Sequence, residues 1–130
     1  MMSPENLQNP AWNYNFTVVS QQLHVRPEVL KRIVISFSQT LAEKISQLQT
    51  ALSANDIAQA RALLHEIRGT SGNLRLDDIF SSAKFLHEAV KAGEAQDKLM
   101  AYFEALKIVS TKLFEYVKTE ENKNVENTGG

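Results

Sequence analysis

The sequence predicts an all-α protein, an antiparallel four-helix bundle with a short extra N-terminal helix. Two observations lead there. Four long stretches carry apolar residues every three or four positions, the period of a helix buried on one side. Short links such as Ser53-Ala54-Asn55-Asp56 separate them. Amphipathic helices joined so closely cannot bury their stripes separately, and an antiparallel bundle buries all four together.

The elements follow in chain order. Residues 1–14 are polar and contain Pro4 and Pro10, so they read as an irregular lead-in, with Trp12 or Tyr14 packing back on the body. Phe16, Val18, Val19 and Leu23 suggest a brief first helix over Phe16 to Gln22, although the β-branched run Thr17-Val18-Val19 works against it. Pro27 opens the clearest helix, because proline is favoured at the first helical position. Leu30, Ile33, Val34, Phe37, Leu41, Ile45, Leu48 and Leu52 carry its stripe for about seven turns.

Asn55 or Asp56 can cap the next helix, since a short side-chain oxygen accepts from unpaired backbone N–H groups. That helix runs to about Leu74, with Ile57, Ala60, Leu64, Ile67, Ser71 and Leu74 inward. Asp77 and Asp78 are placed to cap a third long helix, with Leu76, Ile79, Phe80, Ala83, Leu86 and Val90 inward. Gly93 ends it where a left-handed residue is wanted. Leu99, Met100, Phe103, Leu106, Val109, Leu113 and Val117 mark a last helix from about Gln96 to Lys118. Phe37, Phe80, Phe85, Phe103, Tyr102 and Phe114 are assigned mostly to the core by spacing. The helical domain thus spans residues 15–118, and the polar, aperiodic residues 119–130 are expected to be disordered.

Composition narrows the function. Hydrophobic residues make up 43% and charged residues 22%, which suits one folded domain rather than a disordered chain. The formal charge of −1 offers no basic field for nucleic acid. The chain has no cysteine, which removes disulfides, thiolate metal sites and cysteine nucleophiles. No apolar run reaches the ~20 residues that span a bilayer, and residues 1–15 lack the pattern of a secretory signal. A cytoplasmic monomer is the expectation.

One histidine stands out. At about 100° per residue, His65 points roughly 120° away from the middle of its helix's buried face. Ala58 and Ala62 lie on its side before it, Gly69 and Gly72 after it, and Arg61 and Arg68 flank the strip. Each helical glycine costs about 1 kcal/mol relative to alanine. A helix that accepts this cost on its exposed side leaves room for something large to approach the imidazole. The arginines suggest that the approaching or carried group is anionic. An exposed imidazole, with an ordinary pKa of about 6.5, is mostly neutral near pH 7 and is a competent nucleophile towards phosphorus. His24, in a link, reads as structural or merely exposed, and His87, next to Leu86 on the third long helix, reads as a surface residue rather than a ligand. The three histidines lack the spacing of a metal site.

His65-Glu66-Ile67-Arg68-Gly69-Thr70-Ser71 resembles the H-x-x-K/R-G-x-S/A signature of histidine-containing phosphotransfer (HPt) domains. The long helix ending in Leu48-Gln49-Thr50-Ala51-Leu52, the link at 53–56 and the downstream Phe85–Gly93 stretch sit where that family has them, so the resemblance covers roughly residues 15–118. It implies a phosphorelay intermediate of two-component signalling. Its partners would be a response-regulator receiver domain, a hybrid sensor histidine kinase, or both. The resemblance makes His65 the phosphoacceptor and puts Arg68 near the phosphoryl oxygens. Gly69 leaves room for the receiver, and Ser71 is the small supporting residue. Ala58, Arg61, Ala62, Gly69 and Gly72 form the implied docking strip. No cofactor is expected on this chain; Mg²⁺ and the acidic pocket would come with the receiver. Glu66 departs from the small residue usual after the histidine, and Arg75 stands where the family often has glycine. A non-catalytic helical adaptor using the same strip is the alternative. A metal-binding bundle ranks below both, because the helices lack Glu-x-x-His pairs.

Overall fold

The computed structural model describes residues 14–129, so residues 1–13 of the lead-in, Trp12 among them, and Gly130 lie outside it. Among the described residues five helices follow one another: α1 (Phe16–Leu23), α2 (Pro27–Ser53), α3 (Ile57–Asn73), α4 (Asp77–Lys91) and α5 (Gln96–Gly129). The four long helices form a closed ring in which α2 packs on α3, α3 on α4, α4 on α5 and α5 on α2; α1 packs on α2. The predicted all-α bundle with its extra N-terminal helix is the observed fold.

Local chemistry sets the ends. Asn15 caps α1 by accepting from Val18 N–H, and Asp56 caps α3 by accepting from Gln59 N–H. Arg26 precedes α2, with Pro27 in the first turn. Asp77 and Asp78 do not cap α4. Leu76 holds the cap position, and the two carboxylates sit inside the first turn, where the helix dipole favours negative charge. Gly93 takes the left-handed conformation at φ 71°, as its position predicts. Gln96 donates to the Leu52 carbonyl at the C-terminal end of α2. Tyr14 donates to the Leu74 carbonyl at 2.7 Å and stacks edge-on against Phe16, tying the chain entry to the α3–α4 turn.

The core runs along the bundle axis through Leu30, Val34, Leu41, Leu48, Leu64, Ile67, Leu86, Phe103, Leu106 and Leu113. Three residues read as core are not in it. Ile33 is 43% exposed, Phe85 57% and Tyr102 40%. Each lies one step around its helix from an inward neighbour (Val34, Leu86 and Phe103), and in a four-helix ring that step of about 100° points out of the bundle. Phe80 and Phe114 are partly buried.

The last helix also runs further than predicted. It continues past Lys118 to Gly129 rather than giving way to a disordered tail. No proline or glycine interrupts residues 119–128. Glu120 accepts an ion-paired hydrogen bond from Lys31 of α2 at 3.0 Å, which fastens the extension to the bundle. Lys31 also lies over the Phe16 ring.

Candidate functional site

The site is built on the outward flank of α3. Ala60, Leu63, Leu64, Ile67 and Ser71 are buried, which turns His65 into solvent as the periodicity predicts. Ala58, Arg61, Ala62 and Gly69 are exposed on the same helix. Ser71 is fully buried, and its hydroxyl donates to the Ile67 carbonyl at 2.6 Å. A small hydroxyl that bonds its own helix is what that inward position accommodates.

The two glycines part company. A β-carbon at Gly69 would meet nothing within 4 Å, so this position is bare, as the strip requires. A β-carbon at Gly72 would stand 3.1 Å from the Phe80 ring. Gly72 therefore serves close packing of α3 on α4 and is not open docking surface, because the space beside it is already filled by Phe80.

Two charged residues near His65 on α3, Glu66 and Arg68, are tied to neighbouring helices. On one side, Lys44 of α2 donates to the Glu66 carboxylate. That bond and the lysine's charge hold the Glu66 carboxyl below its ordinary range. The departure at position 66 is thus drawn towards α2. Beyond it lies an open groove of about 560 Å³ whose lining includes Val29, Ile33, Phe37, Thr40, Lys44 and Thr70.

On the other side, an Arg68 Nη nitrogen lies 3.0 Å from His87 Nδ1 of α4. A guanidinium has no acceptor, so Nδ1 must accept and the His87 proton must sit on Nε2. His87 is buried, only 6% exposed, which corrects the surface reading. Burial is the main force lowering its pKa; the charges of Arg68, Lys91, Arg61 and His65 add to it. The imidazole is therefore held neutral. A sequence signal for this burial existed: His87 lies four residues after Ala83 and three before Val90, on the inward side of α4. Position 68 provides the arginine beside the histidine, but its guanidinium is anchored to α4 rather than hanging free. Arg68 spends one donor nitrogen on this bond, and a guanidinium carries five N–H donors.

Among the described residues, no group of three or more His, Asp or Glu side chains is placed to hold a metal ion. None of their helices is long and apolar enough to cross a membrane.

The family model described as Hpt domain matches residues 32–111. This chain belongs to the Hpt domain family. No curated protein and no solved structure gives a significant match. The matched span takes in most of α2, all of α3 and α4, and the first half of α5, so it contains the His65 flank and its supports on both sides. Hpt domains are helical bundles and phosphotransfer carriers. Membership therefore gives this protein a histidine phosphotransfer role in two-component signalling, with receiver or kinase domains as the general class of partner.

Proposed function

We propose that this Hpt domain is a phosphorelay intermediate that carries the phosphoryl group on His65 and exchanges it with the aspartate of a response-regulator receiver domain. The observation that carries the reading is the exposed imidazole on a flank bared by Ala58, Ala62 and Gly69, with the Arg68 guanidinium fixed one turn along. One ring nitrogen would attack phosphorus with its lone pair. The new N–P bond forms as the P–O bond to the aspartyl carboxylate breaks, and the carboxylate leaves with the electron pair. The second ring nitrogen keeps its proton throughout. The return step reverses these bonds.

This chain's own part is positioning and charge. Arg68 offers donors to the phosphoryl oxygens as their charge redistributes. Arg61 adds positive charge on the same flank. Phosphoryl transfer also calls for a cation on the transferring oxygens, and the receiver would supply Mg²⁺ with its acidic pocket. The domain would work as a cytoplasmic monomer that meets its receiver or hybrid kinase transiently. The groove beside Thr70 extends the bare strip and supports docking of a second folded domain there.

The test is transfer from a panel of receiver domains charged on their aspartate with acetyl phosphate. Wild-type protein should take the label and His65→Gln should not, while both still bind the receiver. Equal labelling of the two proteins would defeat the reading. Signalling that survives His65→Gln would favour a docking adaptor instead.

A further inference from the structure

We propose that His87 is a positioning residue that holds Arg68 beside the phosphoacceptor by means of an uncharged acceptor, so that the arginine is fixed without losing its charge. The inference rests on the relay reading above.

An arginine side chain carries large rotamer entropy. Left loose at the partly buried edge of α3, Arg68 would spend much of its time away from His65. The 3.0 Å bond to His87 Nδ1 fixes the guanidinium to the neighbouring helix. The bond is two-sided, because a buried imidazole nitrogen without a donor would be costly. His87 is itself buried, which restricts its ring and with it the acceptor.

The identity of the acceptor matters as much as its place. Glutamate would grip the guanidinium more strongly, since a carboxylate adds an opposite charge and can accept two parallel N–H bonds. It would also cancel the positive charge at the place where a phosphoryl group needs it. A neutral imidazole leaves the full unit of charge available. Arg61, Lys91 and Arg68 all act on this ring, and each of them opposes its protonation. Burial first, and these charges second, keep the acceptor neutral, and a neutral acceptor leaves the charge of Arg68 uncancelled.

The experiment compares His87→Gln, His87→Leu and His87→Glu for the rate of transfer from an acetyl-phosphate-charged receiver and for the receiver concentration giving half the maximal rate. Glutamine offers a neutral acceptor and should stay within about twofold of wild type. Leucine removes the acceptor and glutamate neutralises the arginine. Each should slow transfer about tenfold with half-saturation unchanged. In an Arg68→Gln background, none of the three should slow transfer further. Wild-type speed in His87→Leu, or the same loss with and without Arg68, would overturn the role. If leucine prevents folding, the Gln–Glu pair decides: equal rates would overturn it.

Imidazole and guanidinium ¹⁵N spectra of the unphosphorylated wild type form an arm that needs no receiver. They should show an unprotonated Nδ1 on His87 and restricted rotation of the Arg68 guanidinium. A protonated Nδ1 would overturn the bond itself. Failure of wild type to take label from any receiver would instead defeat the relay reading, and the spectra keep the two failures apart.

Discussion

Gly72 of α3 lies against the Phe80 ring of α4, so closely that a methyl at position 72 would stand 3.1 Å from the nearest ring carbon. Gly69, one turn earlier, faces open space. Two glycines in one motif thus answer to different neighbours, one inside the molecule and one outside it.

Alanine at the two positions should separate these roles. Gly69→Ala should raise stability by about 0.5–1 kcal/mol, because nothing opposes the gain in helix propensity. Its methyl would lean back towards His65, so transfer from a charged receiver should fall by about tenfold, the rate equivalent of about 1.4 kcal/mol. Gly72→Ala gains the same propensity but must displace Phe80. It should leave stability within about 1 kcal/mol of wild type and leave transfer unchanged. Denaturant melts paired with a transfer assay check both. A slower Gly72→Ala with an unaffected Gly69→Ala would reverse the assignment.

The burial of His87 predicts how stability depends on pH. Its pKa in the folded protein lies below the ordinary 6.5, chiefly because burial opposes the charge. Below pH 6.5 the unfolded chain therefore binds a proton that the folded protein refuses. Stability should decline as pH falls from 6.5 towards the lowered folded value, and should level off with respect to this group below it. His87→Gln should flatten that part of the curve. Urea midpoints between pH 5 and 8 for both proteins are the measurement; parallel curves would contradict the prediction.

Arg75 occupies the left-handed region at φ 59°, in the turn where Arg75 N–H bonds the Gly72 carbonyl and Leu76 N–H bonds the Ser71 carbonyl. The turn keeps a glycine's geometry with a residue that has a β-carbon. Left-handed backbone costs a residue with a β-carbon roughly 1–2 kcal/mol, partly offset by glycine's greater entropy when unfolded. Arg75→Gly should therefore stabilise the protein by about 1 kcal/mol, read as a higher urea midpoint at constant slope. Transfer should not change, because Arg75 lies outside the His65 flank.

Much of the site was legible in the residues. The inward run Ala60, Leu64, Ile67 and Ser71 fixes which way His65 faces, since a helix of known period has only one opposite side. Arg68 and Gly69 follow at three and four residues, so they had to share that side. What spacing along α3 could not say is what α2 and α4 bring to its edges. Lys44 meets Glu66 and His87 meets Arg68 across helix pairs, and Phe80 takes the space that Gly72 leaves. The exposed Phe85 and Tyr102 carry the same lesson: apolar type and rough period put them with the core, but their angle around the ring turns them out.

The residues alone were enough for the order of the helices, their packing as a bundle and the outward histidine, though not for the end of α5 or the cap of α4, because apolar periodicity is local. Which glycine is open, where Arg68 is anchored and what surrounds His87 came instead from the assembled bundle. Those depend on the relative register of neighbouring helices, which is set by packing between residues far apart in the chain.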